Sequence, residues 1–319
     1  ANNRAILDQT ICFINCDYQE NDDSSLWTSI TSLLTPNSLV GYANGDQYAA
    51  TDGGLLKLSL STGNFETILP GEILTYSDLI SINIDTLGNL WLGSKDPGTL
   101  QIYHTEYGLI RVIDNLGIDE ISSIYYHDSS AYATGQIGNE PCIIEFRLDD
   151  NGLPYYQAVY QNFPYSLSDI SHVSFDGDTI YITTSNGVYS ASISEGMLSF
   201  STSWNQVLQG WEPELSFNGE IPIMVTSSEL LVEINNTWTT VFSNIQGEIL
   251  DGGWTVDGHF YILSTSLFYE FDETFSLLPG YPLSHSSEVT YVAYSSHVDY
   301  HIFGMNKQGI WLLDRNDLS

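Results

Sequence analysis

Residues 83–94 read NIDTLGNLWLGS. An Asp-x-x-Gly-Asn step runs directly into an apolar stretch centred on Trp91 and ending in the small pair Gly93-Ser94. Asp, Asn and Gly tolerate the positive φ of a tight reversal, so 85–89 reads as a turn between two strands. The strand before it, LISINI (79–84), is apolar and alternating; the strand after it places a large aromatic close behind the turn.

The arrangement recurs. Asn44-Gly45 precedes Tyr48, Asp128-Ser129 precedes Tyr132, and Asp176-Gly177 precedes Tyr181. Asn218-Gly219 precedes Ile223, Asp257-Gly258 precedes Tyr261, and Ser296-His297 precedes His301. With Trp91 these anchors make seven copies, 38 to 49 residues apart. A period of about 40 residues is the length of a four-stranded propeller blade. Each copy supplies an inner strand, the turn, a second strand such as LWLGS (90–94), a third such as LLKLSL (55–60) and a weaker fourth such as FETIL (65–69). Small residues late in the second strand let blades approach, and the large anchors are expected to fill the space between them. No helical periodicity of useful length interrupts the pattern.

The sequence therefore predicts an all-β, seven-bladed propeller of four-stranded blades. Its last copy ends at GIWLLDR (309–315), one strand short. Closure then needs an N-terminal strand, and SLWTSITSLL (25–34) is the candidate. Residues 1–23 read as an extension or linker in which ICFIN (11–15) forms an extra strand or packs outside; 24–319 reads as one propeller.

Composition narrows the function. The chain has 319 residues and a formal charge of -33, from 40 acidic residues against only seven Lys plus Arg. The scarcity of base argues against nucleic acid and anionic membrane surfaces as partners. No apolar run reaches the roughly 18–20 residues that span a bilayer, so membrane insertion is not expected. A basic segment followed by a long apolar run is also lacking, and the mature form of an exported protein would read the same way. Cys12, Cys16 and Cys142 make no disulfide framework, and Cys12 could pair with Cys16 only if the backbone between them is folded. The seven histidines show no metal-site spacing.

NIDTLGNLWLGSKDPGTLQIY (83–103) with its preceding strand resembles the two-component-regulator propeller repeat, with Ser94 where the repeat carries Thr. YAATDGGLLKLSL (48–60) matches its second half. The N-terminal layout from SLWTSITSLL through GGLLKL is similar to secreted Bacteroidetes-type and marine propellers, including PorZ-like components of type IX secretion. The resemblance implies export to the periplasm or cell surface, action by binding, and a monomer or a module of a larger protein. Some such proteins carry a C-terminal sorting domain, so the chain reads either as an excised domain or as a protein without one.

The segments leading into the inner strands each bring an acid or amide: Asn37, Asp78, Asp119, Asp169, Glu214, Asp251 and Glu288. Around one channel mouth, the six acids could hold Ca²⁺ or another hard cation; alternatively each caps its own turn. Aromatics expected on the same face are Tyr76, Phe163, Tyr165, Trp211 and Tyr281. These could stack on sugars or anchor a protein, or fold down as a lid. No nucleophile elbow or phosphate loop occurs, and the residues favour binding over catalysis. The expected function is an exported binding or scaffold propeller for an extracellular glycan or cell-envelope protein. A carbohydrate-active hydrolase or lyase using the mouth acids is the alternative. A third reading is the extracellular sensor part of a two-component regulator.

Overall fold

The computed structural model describes residues 27–30, 35–42, 45–62, 64–68, 74–161, 163, 167, 169–193, 198, 203–209, 211–284 and 290–315. Seven antiparallel four-stranded sheets form a seven-bladed propeller. The inner strands of blades 1 to 7 are Pro36–Gly41, Leu79–Ile84, Glu120–His127, His172–Asp176, Pro213–Phe217, Ile249–Trp254 and Tyr291–Ser296. Trp27–Ile30 pairs antiparallel with Gly309–Asp314 and supplies the outer strand of blade 7, so the expected N-terminal closure is present. The Cys12–Cys16 question and the ICFIN segment lie outside the described residues.

The opening motif explains its own fold. Gly88 adopts φ +87° in the turn, and the Asp85 carboxylate is a local organiser. It accepts from the amides of Leu87 (2.9 Å) and Asn89 (2.8 Å), from Asn89 Nδ2 (2.8 Å) and from Trp91 Nε1 (3.3 Å). One buried carboxylate thus fixes the turn and aims the indole. Trp91, fully buried, packs edge-on against Tyr126 and Phe146 of blade 3, each with ring centroids 5.7 Å away. Gly93 allows that approach, since a Cβ there would lie 2.7 Å from the Ile121 side chain of blade 3.

Tyr48, Tyr132, Ile223 and Tyr261 likewise join the cores shared with the following blade. The last anchor differs. His301 faces back to blade 6, while Ile302 faces blade 1 beside Leu39, Ala49 and Leu56. The final turn (297–299) lacks glycine, and counting from it places the anchor one residue early. A one-residue displacement moves a strand side chain to the opposite face.

Side-chain latches join inner strands around the channel. Asn37 Nδ2 donates to Leu79 O (2.8 Å), Ser81 Oγ to Ile121 O (2.7 Å) and Asn83 Nδ2 to Ile124 O (2.7 Å). His172 Nδ1 bonds Ser216 O at 2.8 Å. Charge is also built into the blades. Lys57, Glu145 and Glu270 each lie opposite the second-strand anchor of their blade, across from Tyr48, Tyr132 and Tyr261. Lys57 pairs with Asp46 at 3.0 Å. Glu270, 1% exposed, receives Arg315 at 3.1 Å across the blade 6–7 boundary and His259 of its own blade at 3.0 Å. His301 is neutral there, lowered to about 3 by burial and then by Arg315. Its Nε2 lies 3.3 Å from the Glu270 carboxylate, which can only accept; Nδ1 then accepts from Tyr294 at 2.9 Å.

Candidate functional site

The two ends of the channel differ in construction. The mouth face gathers the connections from each outer strand to the next inner strand, plus the hairpins between second and third strands. The turn face gathers the inner-strand turns and the hairpins between third and outer strands.

On the mouth face, the acids are tied into local structure. Asp119 accepts the Gly138 amide at 2.5 Å, and Asp169 accepts Ser185 Oγ at 2.8 Å and its amide at 3.3 Å. Each bond ties the incoming connection to the second hairpin of the same blade. Asp78 lies 3.8 Å from Lys95. Asp251 sits deeper, on the inner strand of blade 6. Its oxygens accept Tyr261 Oη and the Gly252 amide, both at 2.8 Å. Burial pushes its carboxyl up to about 6. Tyr125 of blade 3 is pushed up to about 12, mainly by burial, with Asp251 adding to it from across the channel. Glu288 lies outside the described residues. Among those described, no three His, Cys, Asp or Glu side chains converge as a metal-ligand set.

One sector of the mouth does concentrate acid. Glu214 is raised by burial and then by Asp169, Glu248 and Glu212, so three carboxylates from the blade 4–6 connections bear on a fourth. Trp211 lies half-buried beside Glu212 at the entrance to blade 5. Tyr76 is half-buried, and its backbone is held by Gln101, which accepts the Tyr76 amide at 3.1 Å and donates to its carbonyl at 3.1 Å. Phe163 is taken into the core of blades 3 and 4, 5.6 Å from the Trp204 ring. Tyr165 lies outside the described residues.

Tyr281 requires a correction. It belongs to the third-to-outer connection of blade 6 (272–282), on the turn face. Its hydroxyl lies 2.7 Å from His301 Nε2, inside the Glu270 cluster. The outer strand that follows, Leu283–Ser284, is only two residues long, so the preceding segment reads as the mouth connection.

A concavity on the turn face was not anticipated. It has a volume of about 260 Å³ and is lined by the His127–Ser130 hairpin, Arg147 and Tyr155. The available signal was an arginine inside an apolar strand, CIIEFRL (142–148), followed by a tyrosine pair.

No family model matches the chain, and no curated protein does either. Solved structures share the propeller. Virginiamycin B lyase from Staphylococcus aureus superposes with a TM-score of 0.68 at 11% identity, over 90% of this chain and 98% of that one. PorZ, a bacterial surface component of the type-IX secretion system of Porphyromonas gingivalis, gives 0.61 at 13%, over 90% of this chain and 38% of its own. The extracellular domain of a hybrid two component system from B. thetaiotaomicron gives 0.63 at 14%, over 92% and 41%. The chain thus spans about two fifths of the last two proteins. At these identities the likeness is one of fold: the chain shares its propeller type with a surface secretion component, an extracellular sensor domain and an antibiotic lyase.

Proposed function

We propose that this chain is a non-catalytic, exported binding propeller that recognises an extracellular glycan or a partner protein at the cell envelope, in a setting such as type IX secretion. The observation carrying the reading is the blade 4–6 sector of the mouth, where half-buried Trp211 adjoins Glu212 in the chain and Asp169, Glu248 and Glu212 each bear on Glu214. A half-buried aromatic offers a stacking or anchoring surface, and surrounding acids supply acceptors for hydroxyls or cationic side chains. Export is supported by the likeness to surface and extracellular propellers. In the described residues, no helix is long and apolar enough to cross a membrane.

A glycan array run with Ca²⁺ and again with EDTA, on wild type and Trp211→Ala, tests the reading. Binding lost in Trp211→Ala supports the mouth sector as the site. Loss in EDTA assigns the acids, Asp169 and Glu214 among them, to a metal-assisted site. Absence of binding in both buffers counts against glycans and directs the search to envelope proteins. Turnover of an arrayed glycan would instead favour a carbohydrate-active enzyme.

A further inference from the structure

The turn-face cleft on blade 3 is independent of the mouth. One wall is a two-residue turn: His127 pairs with Ser130, and Asp128 takes φ 53°. The His127 ring lies flat on Phe175 of blade 4, centroids 4.5 Å apart and planes 5° from parallel, which fixes the imidazole at the blade boundary. Tyr132 also lines the cleft. Arg147 lies opposite Ser130 in register, with its side chain 25% exposed and Glu145 at 3.8 Å behind it.

The rim comes from an irregularity in the sheet. Arg147 pairs with Tyr156 but Leu148 pairs with Pro154, so Tyr155 is the extra residue of a β-bulge. Bulges re-aim side chains and are common beside sites. Tyr155 is 65% exposed at the cleft edge.

These groups suit one ligand class. A guanidinium binds a carboxylate in two parallel bonds. Serine hydroxyls and the Asp128 carboxylate match the donors and acceptors of a sugar ring, and an exposed phenol ring offers it a stacking face. Asp128 and the nearby Glu145 oppose a second negative charge, which disfavours phosphate and other dianions. The volume lies just below the usual range of ligand sites and accommodates one ring rather than a chain. We propose that this cleft binds a sugar carrying a single carboxylate, with Arg147 on the carboxylate, Ser129, Ser130 and Asp128 on ring hydroxyls, and Tyr155 against the ring face.

The test titrates the full chain with sodium glucuronate, sodium galacturonate and N-acetylneuraminate, and with the methyl ester of each, by ligand-observed NMR. The expected result is binding of at least one acid, at least tenfold weaker binding of its ester, and at least fivefold weaker binding to Tyr155→Ala. Tyr155 is exposed, so its removal leaves the fold intact. Arg147→Lys keeps a cation over Glu145 and is expected to lose at least tenfold. Binding of none of the acids, equal binding of acid and ester, or no effect of Tyr155→Ala overturns the proposal. Equal competition by inorganic phosphate reduces the cleft to a simple anion site and also overturns it. Loss in Trp211→Ala alone places the sugar at the mouth, refuting the cleft while leaving the mouth reading standing.

Discussion

Replacing Asp251 with asparagine is expected to stabilise the propeller at pH 7.5 and to leave it nearly unchanged at pH 4. In the folded chain, burial raises this carboxyl to about 6, against bonds from Tyr261 and Gly252 that favour the ionised form. An unfolded aspartate titrates near 3.9, so the folded state holds its proton more tightly. Stability then falls as pH rises from about 4 through about 6, and the full cost is present above 6. The gap between those values corresponds to about 3 kcal/mol. Asp251 is only partly buried and borders the channel, so solvent reduces the figure to about 1–3 kcal/mol. Asparagine avoids the ionisation: its Oδ1 accepts from Gly252 and its Nδ2 donates to the Tyr261 oxygen. The assay is urea and thermal unfolding of both proteins between pH 4 and 8. At pH 7.5 the variant should melt roughly 2–6 °C higher. A difference that does not change with pH, or a variant less stable than wild type at pH 7.5, would refute the reasoning.

Trp91→Ala should cost about 3–5 kcal/mol, because it empties the interface between blades 2 and 3 and leaves Asp85 without its indole partner; chemical denaturation measures it. Arg315→Ala should cost about 3–5 kcal/mol by leaving the buried Glu270 without its guanidinium, and Arg315→Lys should recover part of the loss in the same assay. Cys142, buried and pushed up to about 12 chiefly by burial, should resist iodoacetamide in the folded protein and react after unfolding, as read by peptide mass mapping.

The ring of blades was legible because its cause is local. A turn that needs Asn, Asp or Gly, followed by a large anchor, repeats seven times, and the missing outer strand of the last copy pointed to the N-terminus for closure. Failures occurred where that local grammar lapses. The blade 7 turn has no glycine, and the anchor moved from His301 to Ile302. Blade 6 spends a long connection on a two-residue outer strand, and Tyr281 was assigned to the wrong face. The site was less legible because burial and convergence are not local properties. Whether Asp119 and Asp169 cap hairpins depends on Gly138 and Ser185, some twenty residues downstream. The blade 3 cleft depends on a bulge that register alone reveals. Charge in an apolar strand, one residue in LLKLSL and two in CIIEFRL, was the available sign of the buried pairs.

Those pairs determine how the molecule meets a ligand. Of the cations in the described residues, Lys57 lies against Asp46, Arg147 against Glu145, and Arg315 against both Asp257 and Glu270. Lys95 leans on Asp78, leaving Arg111 and Lys307 as exposed cations beyond these pairs. Most of the formal charge of -33 therefore acts outward with little local compensation. Such a field slows an approaching anion and steers a cation, and salt weakens both effects within a Debye length of about 8–10 Å. The three recognition modes should differ in sign. Raising NaCl from 50 to 500 mM should speed association of a carboxylated sugar with the blade 3 cleft. It should slow association of a basic protein segment at the mouth, and leave a neutral glycan on Trp211 almost unaffected. Stopped-flow association rates measure the sign directly. A carboxylated sugar that binds more slowly as salt rises would mean that Arg147 dominates the local field, and that the charge of the whole molecule does not govern access to the cleft.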